Sequence, residues 1–323
     1  MFVIFLFYEL PALMLQLAIK KLIQGTLMML IVSAITFALL SSAGGDALSS
    51  LRDNPQISEK TVEDLKKVYG FDRPLSERYG SWLLRAVSGD LGESFSFRVP
   101  VQTVVWSRFI NTAILSLTAL ALAIAVSFLL AILAVRFRSR LLDSFIEALI
   151  LLTASTPRMV LALLVLVITL KFSFSAPAAG GISVFQLVSG SIVLAIPLVS
   201  VFLAQLRDGL ADAMNEDFVR LARAKGLSEW KVISRHALRA ALNPFLTISG
   251  LSLGGLLGGS VIVETVLGWP GIGALMVAAV RGRDVPLVMG VVLVASIAVW
   301  LGNTIAEFLQ LVNDKRLRSG GLD

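Results

Sequence analysis

Between Arg108 and Arg136 the chain reads FINTAILSLTALALAIAVSFLLAILAV, residues 109–135, without one charged side chain. A helix needs about 20 mainly apolar residues to cross a bilayer, and this run exceeds that length. Four further intervals are equally free of charge: Lys21 to Asp46, Lys171 to Arg207, Arg239 to Glu264 and Asp284 to Glu307. A sixth stretch, 141–170, is as apolar but carries Asp143, Glu147 and Arg158, which are costly in lipid and suit a helix packed inside a bundle. The expected fold is therefore an all-α membrane protein with six transmembrane helices. Across the 323 residues, 56% are hydrophobic and 15% charged, with mean hydropathy +0.85. An ordinary soluble domain, in which about a quarter of residues are charged, is excluded.

The net charge of +6 is distributed in blocks. Lys20 and Lys21, then Arg136, Arg138 and Arg140, then 207–239, then Lys315, Arg316 and Arg318 alternate with segments of little net charge. That is the positive-inside pattern, so these blocks and both termini are expected on the cytoplasmic face, and nucleic acid is not an expected partner. Cysteine is absent and His236 is the one histidine. No thiolate, disulfide or histidine cluster for a metal follows from such a sequence. Nor does it contain a G-x-x-x-x-G-K-[ST] phosphate loop, so ATP hydrolysis is not expected on this chain.

Along the chain, residues 1–19 form an apolar N-terminal extension containing Glu9 and Pro11, read either as an interfacial helix or as an over-long start. The first transmembrane helix is expected at 20–41. An insert at 42–106 follows, with eight basic and nine acidic residues between Ser41 and Arg98, a balance that suits the outer face. Within it, Ser58 to Gly70 reads as a capped helix, and Tyr79, Trp82, Leu83 and Leu84 as a patch lying at the membrane interface. Residues 107–312 are expected to hold the other five helices, and 313–323 a cytoplasmic tail. Pro157 kinks the third helix and Pro197 lies inside the fourth, while 173–181 is an outer turn. The fifth carries Gly250, Gly254, Gly255, Gly258 and Gly259, whose spacing of four permits close approach to another helix. Beyond it, Trp269 reads as an interfacial anchor within a helix end, turn and short re-entrant segment.

The polar stretch 207–243 is too long and too patterned for a simple turn. Asn215 to Lys225 sets Phe218, Leu221 and Ala222 on one side and Arg220, Arg223 and Lys225 elsewhere, with Gly226 supplying the left-handed residue that ends a helix. Ser228 then caps a second helix, Leu227 and Val232 occupy the positions of a hydrophobic staple, and Glu229 suits the first-turn dipole. This basic helix-glycine-helix elbow reads, on its residues alone, either as a topology-fixing loop or as a docking element.

The run DFVRLARAKGLSEWKVISRHALRAALNP, Asp217 to Pro244, resembles the permease motif of bacterial ATP-binding cassette importers in the dipeptide, oligopeptide and nickel subfamily. AGGDAL at 43–48, YGFDRPLSERYGSWL at 69–83, GDLGESF at 89–95, VETVLGWPGIGAL ending at Leu275 and RDVPLVMG at 283–290 agree in order with the same family. The likeness runs from Lys20 to the end, leaving 1–19 without a counterpart. Two departures stand out. Arg220, Leu221 and Ala222 occupy the place of the Glu-Ala-Ala of the broader importer motif, and Arg158 follows the proline of the third helix where the family usually has a small or aromatic residue.

The resemblance implies a multi-pass inner-membrane permease forming half of a translocation pathway. It implies as partners a second homologous permease, two cytoplasmic ATP-binding cassette ATPases, an external substrate-binding protein and the lipid bilayer. ATP and Mg would be bound by the ATPases, and this chain would carry no cofactor or metal. Phe218, Arg220, Leu221, Ala222, Arg223, Ala224, Lys225, Gly226 and Leu227 would form the ATPase-coupling elbow, with Ala222 and Ala224 permitting close approach. Arg158 and Glu264 are pathway candidates: Arg158 either lines a cavity or joins an interhelix pair, and Glu264 either faces the pathway or pairs with a base such as Arg283. Gly254, Gly255, Gly258 and Gly259 are the helix-packing candidates. Relatives in this subfamily carry peptides, glutathione or nickel chelates. Competing classes are an ion-coupled secondary transporter, for which Asp143, Glu147 and Glu264 are the foothold, and a membrane scaffold, which leaves the elbow unexplained.

Overall fold

The charge-free runs fold into helices, which pair backbone amides with carbonyls inside the segment itself. The structure, a computed structural model, describes residues 2–42, 73–137, 139–171 and 183–313, with the backbone alone for 2–17, 243, 258, 259 and 309–313. The helices are α1 (Phe2–Ser42), α2 (Leu75–Val87), α3 (Val101–Phe137), α4 (Arg140–Ser155), α5 (Arg158–Lys171), α6 (Val184–Asn215), α7 (Asp217–Ala224), α8 (Leu238–Gly259), α9 (Val261–Leu267), α10 (Ile272–Arg281) and α11 (Val285–Asn313). Between α7 and α8, Glu229–Lys231 forms one α-helical turn and Val232–Ala237 a π-helix. Among the described residues there is no strand, only an isolated bridge between Glu93 and Pro100. The part of α1 from Ala18, α3, α6 and α11 are each long and apolar enough to cross a membrane, and three broken pairs raise the range to four to seven crossings.

Several elements differ from the sequence reading. α1 runs without a break through Pro11 and Lys20, so no structural boundary separates 1–19 from 20–41. The third helix is broken, not kinked: α4 and α5 meet at 92°. Pro157 lacks an amide and disfavours helical geometry in the residue before it, and Thr156 accordingly has ψ of 116°. Local groups take over the backbone bonding there. The Thr156 hydroxyl donates to the Leu152 carbonyl (2.6 Å), and the Val160 amide donates to the Pro157 carbonyl (3.0 Å). α6 starts with a capping box at Ser183 and Gln186, encloses Pro197, and continues past Leu206 to Asn215. The expected helix at 58–70, the AGGDAL stretch, the 173–181 turn and the tail from 314 lie outside the described residues.

The chain divides into two units, residues 1–112 with 270–298, and 113–269 with 299–323. In the first, Trp82 is buried with Phe37 and Met289, and the Tyr79 hydroxyl reaches Ser33 Oγ (2.9 Å) and the Leu30 carbonyl (3.2 Å) on α1. The expected interfacial patch is thus partly core. Asp284, fully buried, caps α11 by accepting from the Leu287 amide (3.2 Å) and also accepts from Ser94 Oγ (2.6 Å) and the Ser96 amide (2.9 Å). The entry to α10 is held by α3: Asn111 Nδ2 donates to the Pro270 carbonyl and the Ile272 amide donates to Thr112 Oγ1, both at 2.8 Å.

The second unit is built around α6. Phe202 meets Phe245 edge-on at 5.3 Å between ring centroids, and Phe245 meets Phe128 likewise at 5.0 Å. Arg207 pairs with Glu147 at 3.0 Å, joining α6 to α4. α8 and α11 approach through small residues on both sides, Gly250 and Gly254 facing Gly302 and Ala306. A Cβ at Gly250 would fall 1.8 Å from that of Ala306, whereas one at Gly255 would meet nothing within 4 Å. Close approach of this kind supplies the van der Waals contact that holds helices together in lipid. Gly250→Val is therefore expected to destabilise the detergent-solubilised protein by about 1–3 kcal/mol. Gly255→Ala should leave its thermal unfolding curve in place; equal shifts for the two would refute this packing assignment.

Candidate functional site

The elbow begins where α6 ends at Asn215. Glu216 is extended (ψ 150°), which turns the chain into α7. Along α7 the side chains sort by helical period: Val219 and Ala222 are buried against the end of α6 and the π-helical turn, while Phe218 and Leu221 are exposed. Ala222 therefore belongs to the elbow's own core and does not share a face with Phe218 and Leu221, as the sequence pattern suggested. Ala224, Lys225 and Gly226 are exposed. At Gly226, φ is +75°, and the Gly226 and Leu227 amides close the helix on the Arg223 and Ala222 carbonyls at 2.9 and 3.3 Å. A Cβ at Gly226 would meet no atom within 4 Å, so the backbone conformation, not space, is what calls for glycine.

Past the glycine, Ser228 sits at the N-cap position, but its side chain makes no capping bond. The joint is fixed instead by Arg223, whose Nε and Nη2 donate to the two carboxylate oxygens of Glu229 at 2.9 and 3.3 Å. Leu227 packs on the core that holds Val232 and Ile233, as the staple requires. The π-helix at Val232–Ala237, which includes His236, replaces the expected regular helix; such wide turns recur at functional positions. Arg220 pairs at 3.4 Å with Asp217, both largely exposed. Trp230 is also exposed, at 55%. A tryptophan in a polar loop is itself a sequence signal for a contact surface.

The pathway candidates separate. Arg158 lines a cavity of about 380 Å³ with Ala154, Pro197, Leu198, Ser200, Val201, Ser252 and Gly255. Glu264 is fully buried and its carboxylate accepts from Ser260 Oγ at 2.7 Å. Trp269 is 1% exposed and packs in the core of its unit; it is not an interfacial anchor. Among the glycines, Gly254 contacts α11 and Gly255 lies on the cavity, while Gly258 and Gly259 are described by their backbone alone.

Residues 123–319 match the family described as binding-protein-dependent transport system inner membrane component, and residues 14–118 match the N-terminal family of the same membrane component. The chain belongs to this permease family. It is a multi-pass inner-membrane permease subunit of an ATP-driven importer and not an enzyme, since ATP hydrolysis in such systems lies on separate subunits. The N-terminal match starts at residue 14, so the unmatched extension is shorter than 1–19.

Among curated proteins, the permease is 32% identical to the glutathione transport system permease GsiC of Escherichia coli O6:H1, over 94% of this chain and 99% of that one. It is 30% identical to the oligopeptide transport system permease AppB of Bacillus subtilis, over 93% and 98% respectively. Among solved structures, the crystal structure of an amino acid ABC transporter with histidines shares the fold, with a TM-score of 0.52 and 17% identity over 65% of this chain and 94% of that chain.

The elbow geometry gives a graded expectation for the permease. A β-branched residue held at positive φ costs about 1–2 kcal/mol, whereas asparagine tolerates that region. Gly226→Val should make the 207–243 segment more susceptible to protease while the helical bundle stays folded by circular dichroism, and Gly226→Asn should behave much like the native protein. Indistinguishable cleavage of all three would show that the left-handed turn does not hold the elbow.

Proposed function

We propose that the 207–243 elbow is the element through which this permease is driven by its ATPase partner, and that the solutes moved are peptides or closely related molecules. The observation that carries the coupling assignment is the split of the elbow. Val219, Ala222, Val232 and Ile233 anchor it to the bundle while Phe218 and Leu221 stand exposed on α7. Exposed apolar side chains beside an arginine-rich surface suit a protein groove better than bulk water. The Arg223–Glu229 pair sets the angle between the two helical segments of the elbow. In this reading the complex also contains a second permease, two ATP-binding cassette ATPases holding ATP and Mg, and an external substrate-binding protein. The peptide assignment rests on relatives named as oligopeptide and glutathione permeases.

Six crossings follow from the charge pattern, with α4 and α5 taken as one broken span and α9 and α10 as a re-entrant pair on the outer side. Counting that last pair as a seventh crossing would put Lys315, Arg316 and Arg318 on the opposite face from the elbow, against the positive-inside rule. Both termini and the elbow are then cytoplasmic, and the segment between α1 and α3 is external. The ion-coupled reading loses ground because Glu147 is engaged by Arg207 and Glu264 is buried and engaged by Ser260.

Gentle detergent extraction followed by mass spectrometry tests the coupling. The native chain should bring down a phosphate-loop ATPase and a second permease. Phe218→Asp with Leu221→Asp should lose the ATPase and keep the permease, since both positions are exposed and outside the core. Purification of the native chain alone, with uptake that needs an ion gradient and no ATP, would send the assignment to the secondary transporters.

A further inference from the structure

We propose that the cavity around Arg158 is an anion-accepting subsite of the translocation route, and that the group it takes is a carboxylate of the transported solute. This rests on the importer reading above and extends it to the chemistry of the solute. Arg158 makes no hydrogen bond or ion pair among the described residues and is half-buried at the mouth of a broken transmembrane pair. Its guanidinium is a planar cation whose fork of N–H donors matches the two oxygens of a carboxylate. A charged side chain is expensive in a membrane helix and persists where it meets water, a counter-ion or a substrate.

The cavity wall supplies no counter-ion. Its other members are Ala154, Pro197, Leu198, Ser200, Val201, Ser252 and Gly255, without one acid. Asp143 and Glu147 lie on α4, and Glu147 is taken by Arg207. Arg158 is also the first residue of α5, where the helix dipole adds to its positive potential. Two hydroxyls complete the lining. Ser200 donates to the Pro197 carbonyl at 2.7 Å, while Ser252 has no partner among the described residues and is free to bond an oxygen anion. The break at Pro157 and the absence of a Cβ at Gly255 keep the space open, the latter because a side chain there would project into unfilled volume. A cation, a free hydroxyl and an apolar surround with no acid match a carboxylate group rather than an ammonium group of the solute.

The chain has no cysteine, so Ser252→Cys places its one thiol inside this cavity. In the assembled transporter in lipid nanodiscs, the rates of modification of that residue by the anionic sulfonatoethyl and cationic trimethylammonioethyl methanethiosulfonates are compared, read as mass shifts on this chain. Replacing attraction by repulsion between unit charges a few ångströms apart in water is worth about tenfold. The anionic-to-cationic rate ratio should therefore fall about tenfold when Arg158→Gln is added and be largely kept with Arg158→Lys. An unchanged ratio, or no modification by either reagent until the protein is denatured, would overturn the subsite: in the first case the charge is neutralised by another group, in the second the space is closed to water.

A second arm separates a solute carboxylate from a lipid phosphate. ATP-driven uptake of trialanine and of trialanine amide is followed with the native chain and with Arg158→Gln. The variant should slow the free acid about tenfold and leave the amide unchanged, whereas an equal effect on both would overturn the carboxylate assignment. Failure of the native complex to import either peptide counts against the peptide reading alone, because the labelling ratio still decides the subsite.

Discussion

In the hydrocarbon core of a bilayer no water is present to receive an unpaired amide or carbonyl, and each such group costs several kcal/mol. At three breaks among the described residues a specific polar group takes over the backbone bonding. At 156–157 the replacements are the Thr156 hydroxyl and the Pro157 carbonyl. At the entry to α10 they are Asn111 and Thr112, borrowed from α3, and at the start of α11 the carboxylate of Asp284. Polar residues inside the apolar elements thus mark where the fold stops being a set of straight rods. The places they mark include the cavity wall and the joints of the chain.

The elbow obeys a different physics. It is held by a small apolar core, a left-handed glycine and a charge-assisted pair that is half-exposed on both sides. Such a pair contributes little to stability in water, about 1 kcal/mol or less, but two parallel hydrogen bonds define an angle as well as a distance. Orientation is what a joint between two short helices needs. The apolar anchor below it and the apolar residues left outside it make the elbow a rigid tab with one face committed and another free.

The membrane class, the helices and the elbow were legible because charge-free length and the glycine with its flanking helix patterns are properties of contiguous sequence. Residues whose roles depend on distant partners were not. Nothing near Asp284 announces that its carboxylate will receive Ser94 and Ser96, and Trp269 looks interfacial until its surroundings are known. Ala222 was assigned to the wrong side because four of the five residues from Phe218 to Ala222 are apolar and spread over nearly half of the helix circumference, and only packing decides which of them face inward. Pro157 was read as a kink because proline alone does not fix the angle; the hydroxyls at Thr153, Ser155 and Thr156, which bond back to their own helix, were the unread sign that α4 could end there. Glycine spacing located the close helix approach, while the choice of Gly250 and Gly254 over Gly255 came from the position of α11.

α6 runs unbroken from the capping box at Ser183 to the elbow, about 48 Å at 1.5 Å per residue. Pro197, which lacks an amide, lies roughly 20 Å from its start and about 27 Å from its end. The helix is in effect a beam with a compliant point, and the longer arm carries the elbow. A flexure of about ten degrees at that proline displaces the elbow end by roughly 5 Å, close to the rise of one helical turn. Because the same proline lines the Arg158 cavity, bending of the helix at that point would move the elbow end and reshape the cavity wall together.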